Sequence, residues 1–140
     1  MENLEEINDL NVDGATEVSS ADQAAQAVED KYANAVGVVD ENQINAWKAK
    51  HKIKKVHEIY TTDDDDVLHV TYCRKPTIDH LQLLATYAKK DQEIKGLKVL
   101  YNTVRLGGSE EVINDPEMHM SAMSAVSKIF KRKEAIVKKR

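Results

Sequence analysis

The residues that could do chemistry fall in a few places. "RLGGSEEVINDPE", Arg105 to Glu117, joins a glycine pair to two acids and a helix start. A phosphate-binding loop wants a strand, then GxxxxGK[ST], then a helix whose free N–H groups face the phosphate. Here Gly107-Gly108 follow a helix-like run and lead into "SEE", whose carboxylates would repel a phosphate. The pair is therefore expected to end one helix before Asp115-Pro116-Glu117 begins the next, because glycine most readily adopts the left-handed conformation at a helix C-terminus.

Asp63 to Asp66 form a run of four acids. Ca²⁺ or Mg²⁺ binding would need alternating ligands, a glycine at the sixth position and a glutamate at the twelfth, which this run lacks. A solvated turn is expected instead, its charge guarding a hairpin tip against unwanted strand pairing. Histidines 51, 57, 69, 80 and 119 are scattered. His57 and His69 could become cross-strand neighbours, but a metal needs a third ligand, and no His-x-x-His or Cys-x-x-Cys offers one. No metal and no cofactor are expected. Cys73 is the single cysteine; it lies in a strand-like pattern and reads as a buried, inert thiol. Without a nucleophile elbow, an HExxH or a recognisable acid pair, the chain reads as a non-enzyme with no catalytic residue.

Those residues have to be positioned by elements that the pattern of apolar groups predicts. "IKKVHEIYTT" and "VLHVTYCRK" flank the aspartates as the two strands of a hairpin. Leu68, Val70 and Tyr72 alternate with His69 and Thr71, the period of a half-buried strand. Pro76 stops the second strand and Thr77 can cap a helix whose stripe is Ile78, Leu81, Leu84, Ala85 and Ala88. Asp91 is expected to cap a further helix carrying Ile94, Leu97, Leu100, Tyr101 and Val104. Asp115-Pro116-Glu117 opens a third, with Met118, Ala122, Ala125, Val126, Ile129 and Phe130 on one side and the basic tail beyond. Upstream, Ser20 can cap a short alanine-rich helix and Asp40 another, in which Trp47 is a core anchor. The fold class is α+β: a hairpin or small antiparallel sheet followed by three helices packed on one face, with a mostly helical or extended acidic N-terminal arm. Boundaries are expected at 1–45 (arm), 46–133 (α+β domain) and 134–140 (basic tail).

Charge is strongly asymmetric. The net charge is −4, yet residues 1–30 hold nine acids and no Lys or Arg, while the last thirteen residues carry seven basic groups and one acid. Such polarity suits head-to-tail self-association or an acidic partner, and equally two solvated ends. The tail offers phosphate-contacting cations but only Phe130 as a stacking aromatic, so nucleic acid is not expected as a partner. No apolar run approaches the roughly 18–20 residues that span a bilayer, and the acidic N-terminus lacks the order of a secretory signal.

"YCRKP" at Tyr72–Pro76 and "LGGSEE" at Leu106–Glu111, in this order and spacing, resemble a group of small proteins encoded by tailed bacteriophages and prophages. That group is placed with tail assembly chaperone-like and uncharacterised virion proteins, and the similarity covers about residues 46–130. The resemblance implies a non-enzymatic phage assembly protein, a tail assembly chaperone holding tape-measure or tail-tube subunits in the host cytoplasm. The alternative it leaves is a virion structural protein (capsid, connector or packaged component) that grips its neighbours through charged arms. Either role needs apolar grooves and an accessible strand edge. Val56, Tyr60, Leu68, Val70 and Tyr72 of the hairpin and Met118, Met120 and Met123 of the last helix would supply the partner-binding surface.

Overall fold

The computed structural model describes Gln23, residues 30–130 and residues 135–140. The chain divides into two compact units at Asn34/Ala35. Of the first, Gln23 and residues 30–33 are helical; the rest of the alanine-rich segment after Ser20 lies outside the described residues. The expected boundary at residue 45 falls inside a helix of the second unit, which begins at Ala35.

That unit is α+β, as its pattern predicts. Helix α1 (Glu41–His51) is capped by Asp40, whose Oδ1 accepts from the Gln43 N–H at 2.9 Å. Strands β1 (His57–Thr62) and β2 (Leu68–Cys73) form the hairpin, in a register that sets His57 opposite Cys73 and Thr62 opposite Leu68. Helices α2 (Ile78–Lys89) and α3 (Glu93–Val104) follow, then β3 (Arg105–Gly108), the short α4 (Glu111–Asn114) and α5 (Pro116–Ser127). The strand order is β1-β2-β3, all antiparallel. The chain leaves β2 and re-enters the sheet at one rung: Cys73 lies opposite Arg105, and the Arg74 N–H donates to the Val104 carbonyl at 3.0 Å.

The cap signals act as read at two more helices. Thr77 and His80 form a reciprocal capping box, and Asp115 accepts from the N–H groups of Glu117 and Met118 with Pro116 at the first position. At α3 the expectation fails. Asp91 does not cap; it takes a left-handed φ of 57° in the tight link, and Gln92 precedes the helix without a side-chain cap. The last helix also stops earlier than its stripe suggests. Ile129 and Phe130 lie past its end, and residues 135–140 are exposed without regular structure.

The largest correction concerns Gly107-Gly108. They do not terminate a helix; α3 ends at Val104 and the glycines form the third strand. Each is required by close approach. A Cβ on Gly107 would stand 2.7 Å from Trp47 Cζ2, and one on Gly108 (φ 121°) would stand 2.3 Å from the Val70 carbonyl oxygen.

The sheet is also covered on both faces, so β2 is not half-buried. Val70 and Tyr72 face Ala35, Val39, Ile44, Trp47, Val56 and Leu106. Ile59 and Cys73 face Leu100, Tyr101 and Val104 of α3, Val112 of α4 and Met118, Ala122, Met123 and Val126 of α5. The polar residues of the alternation, His69 and Thr71, are both fully buried. Burial without a partner would cost each of them roughly 1–3 kcal/mol. Thr71 meets the Tyr101 hydroxyl at 3.4 Å, and the partners of His69 build the site described next.

Candidate functional site

The turn Asp63–Asp66 closes with the Asp66 N–H donating to the Asp63 carbonyl at 3.0 Å, and Asp66 takes a left-handed φ of 62°. Asp63 Oδ1 accepts from the backbone N–H groups of Asp65 (2.9 Å) and Val67 (3.0 Å). This Asx geometry is a standard way for an aspartate to open a turn. It also fixes the carboxylate so that its second oxygen, Oδ2, faces the sheet. There it lies 2.9 Å from His69 Nε2. Hydrogen bonding to His69 holds the Asp63 carboxyl below the usual range, with help from Val67 N–H. The run of aspartates is thus not uniformly solvated: Asp64, Asp65 and Asp66 are exposed and Asp63 turns in.

The other side of the imidazole is held by Ser109, whose Oγ lies 2.8 Å from His69 Nδ1. Ser109 reaches this place because β3 presses against β2. Its N–H donates to the Val70 carbonyl at 2.9 Å, and a Cβ on Gly37 would stand 2.3 Å from the Ser109 nitrogen. The bridge of Val36 to His69 completes the packing at this end of β2. Glu111, in the first turn of α4, brings Oε1 to 3.6 Å from His69 Nε2, with a side chain 70% exposed. One donor atom from each of Asp63, His69 and Glu111 lies within 4.8 Å of the others. Outside them opens a cleft of about 610 Å³ lined by Asp63, Asp64, Glu111, Asn114, Asp115, Pro116, Glu117 and Met118.

Ser109, His69 and Asp63 stand in the order of a hydrolase triad, but reversed in access. In that chemistry the serine oxygen meets the substrate and the carboxylate is buried. Here Ser109 is 3% exposed and the acids border the cleft. A serine enclosed in this way is not presented as a nucleophile. The solvent-facing end is the one with two carboxylates and an imidazole, a set able to hold a cation.

His57 does not join this cluster, since the register carries it to Cys73 while His69 lies opposite Thr61. Glu111 and Asp63 bring the ligand count to the three that sequence spacing did not offer. Reading "RLGG" as a strand would have placed Ser109 beside β2 and drawn attention to His69; reading it as a helix end concealed both.

The residues expected to bind a partner are divided by the fold. Val70, Tyr72, Met118 and Met123 are at most 4% exposed and belong to the two core clusters, because both faces of the sheet are covered. They are not available as a surface. Val56, Tyr60 and Leu68 are half-buried, packed against the α1-side core. Met120 is 40% exposed. Among the described residues larger apolar exposure lies elsewhere: Ile136 and Val137 near the C-terminus, and, on the helices, Ile78 and Leu83 of α2 and Ile94 of α3. Among the described residues no helix is long and apolar enough to cross a membrane.

No protein-family model matches this chain, and neither a curated protein nor a solved structure does.

Proposed function

We propose that this chain is a non-enzymatic assembly protein of a tailed bacteriophage, a tail assembly chaperone that holds tape-measure or tail-tube subunits until they polymerise. The observation that carries the reading is helix α2. It has an apolar stripe over 12 residues and not one buried residue. Ile78 is 63% exposed, Leu83 44%, and Ile94 on the neighbouring α3 60%. Between the two helices runs a cleft of about 350 Å³ lined by Leu81, Leu84, Ala85, Ala88, Glu93 and Leu97. An apolar stripe that the fold leaves at the surface suits an amphipathic partner helix with anchors at every third or fourth residue. The order of "YCRKP" and "LGGSEE" supplies the phage part of the reading. Such a chaperone works in the host cytoplasm and leaves before the particle is complete.

The test is co-expression with the tape-measure and tail-tube subunits of the same phage genome. The reading expects a soluble complex with one of them. Ala85→Asp and Ala88→Asp, both at exposed positions, should release the partner and leave the fold intact. Stoichiometric presence of the chain in purified particles would overturn the chaperone role in favour of a virion structural protein.

A further inference from the structure

We propose that Asp63, His69 and Glu111 form a binding site for one divalent first-row transition ion, with Zn²⁺ and Mn²⁺ the fitting members.

The donor set is one imidazole nitrogen and two carboxylate oxygens, from a turn, a central strand and a short helix. Mg²⁺ and Ca²⁺ favour sites made of oxygen alone, whereas imidazole with carboxylate suits zinc and its neighbours. The separations fit. Two ligands at the usual ~2.1 Å from a tetrahedral ion stand about 3.4 Å apart. His69 Nε2 lies 2.9 Å from Asp63 Oδ2 and 3.6 Å from Glu111 Oε1. Small movements bring the three to a common centre, and Glu111 is free to make most of them because its side chain is 70% exposed. Water from the adjoining cleft completes the coordination.

Two features of how the ligands are held support the same assignment. The His69 ring is 1% exposed and clamped, yet its Nε2 is aimed at the edge of an acidic cleft. Metal-binding histidines are usually fixed through their other nitrogen by an outer partner. Ser109 stands in that place, 2.8 Å from Nδ1. A hydroxyl serves either tautomer, since it can donate or accept. In the tautomer protonated at Nε2, that N–H donates to Asp63 and the Ser109 O–H donates to Nδ1. With metal, Nε2 gives its lone pair to the ion, and Nδ1–H donates to the Ser109 oxygen. The second feature is Asp63 Oδ1, which two backbone N–H groups occupy. The carboxylate therefore offers Oδ2 in a fixed direction and cannot turn to solvent without losing the turn.

The site is tested on the full chain by titration calorimetry with Zn²⁺ and with Mn²⁺ alone. One equivalent should bind, and Glu111→Gln should weaken it at least tenfold. Asp64→Asn, which changes the same cleft outside the ligand set, should bind as the parent does. Both positions are exposed, so neither variant threatens the fold. With substoichiometric Mn²⁺, the amide signals of His69, Ser109 and Asp63 should broaden first. The proposal is overturned if no saturable binding appears below about 1 mM, if Glu111→Gln binds as tightly as the parent, or if broadening centres on the acidic N-terminal segment. None of these outcomes bears on whether a tail protein binds at α2, which is measured separately.

Discussion

Gly107 lies flat against the indole of Trp47, so close that a methyl group in place of its hydrogen would stand 2.7 Å from Cζ2. The indole in turn rests on Tyr72, ring centroids 5.4 Å apart. Trp47 thus bridges α1 to two strands at once. Gly107→Ala should destabilise the fold by about 1–3 kcal/mol, the usual cost of overpacking. The same substitution should cost less in a Trp47→Leu background. Denaturant midpoints of the two singles and the double would show strict additivity if the indole were not the obstacle.

Gly108→Ala should be worse. Its φ of 121° is strained for any side chain, and the atoms its Cβ would meet are backbone, Val70 O at 2.3 Å and Thr71 Cα at 2.9 Å. The expected loss exceeds the about 1–3 kcal/mol that a strained φ,ψ pair costs alone. An unfolding midpoint equal to that of Gly107→Ala would contradict this ordering.

Cys73 should be silent toward thiol reagents in the folded protein. Burial among the α3-side core pushes its pKa up to about 12. At pH 8 the thiolate fraction is then roughly one in ten thousand, before access is considered. Labelling with a disulfide reagent should follow global unfolding, its logarithmic rate rising linearly with added urea. Rapid stoichiometric labelling at zero urea would show that this core opens locally.

Stability should fall as the solution is acidified from neutrality. Burial holds the pKa of His57 and of His119 below the ordinary value, with Lys55 and Lys75 adding to the first and Lys98 to the second. His119 Nε2 has no hydrogen-bond partner, and its ring meets Tyr101 edge-on at 5.1 Å. The unfolded chain therefore takes up protons at these rings before the folded chain does. Their contribution is complete above about pH 6.5 and is lost as the pH drops through the lowered values. Asp63, depressed in its own range, adds a further loss below about pH 4. Urea midpoints from pH 8 to pH 5 should decline, and His119→Gln should flatten the slope. A midpoint that rises on acidification would refute the assignment.

Caps and periodicity were legible because they are local. Asp40, Thr77 and Asp115 each bond within three residues, so their roles follow from neighbours in sequence. The hairpin was legible for the same reason. What escaped was set by approach in space. The glycine pair has one sequence signature whether it ends a helix or lets a strand slide under an indole, and only Trp47 and Val70 distinguish the two. His69 and Thr71 look like a solvent face until α3, α4 and α5 are laid over them. The candidate site was hidden by that misreading: Ser109 and Glu111 join His69 only once "RLGG" is a strand.

The sheet takes its rung from Cys73 to Arg105 as if nothing lay between, although two helices do. Their base is anchored through Leu100, Tyr101 and Val104, while the link at Lys90–Gln92 is fully at the surface. The detour is thus a cantilever whose far end bears no weight of the sheet. Doubling a surface loop costs only about 0.6 kcal/mol in closure entropy, so that end is a natural grafting point. A fluorescent tag or an affinity peptide inserted there would join the chain at residues that line neither cleft.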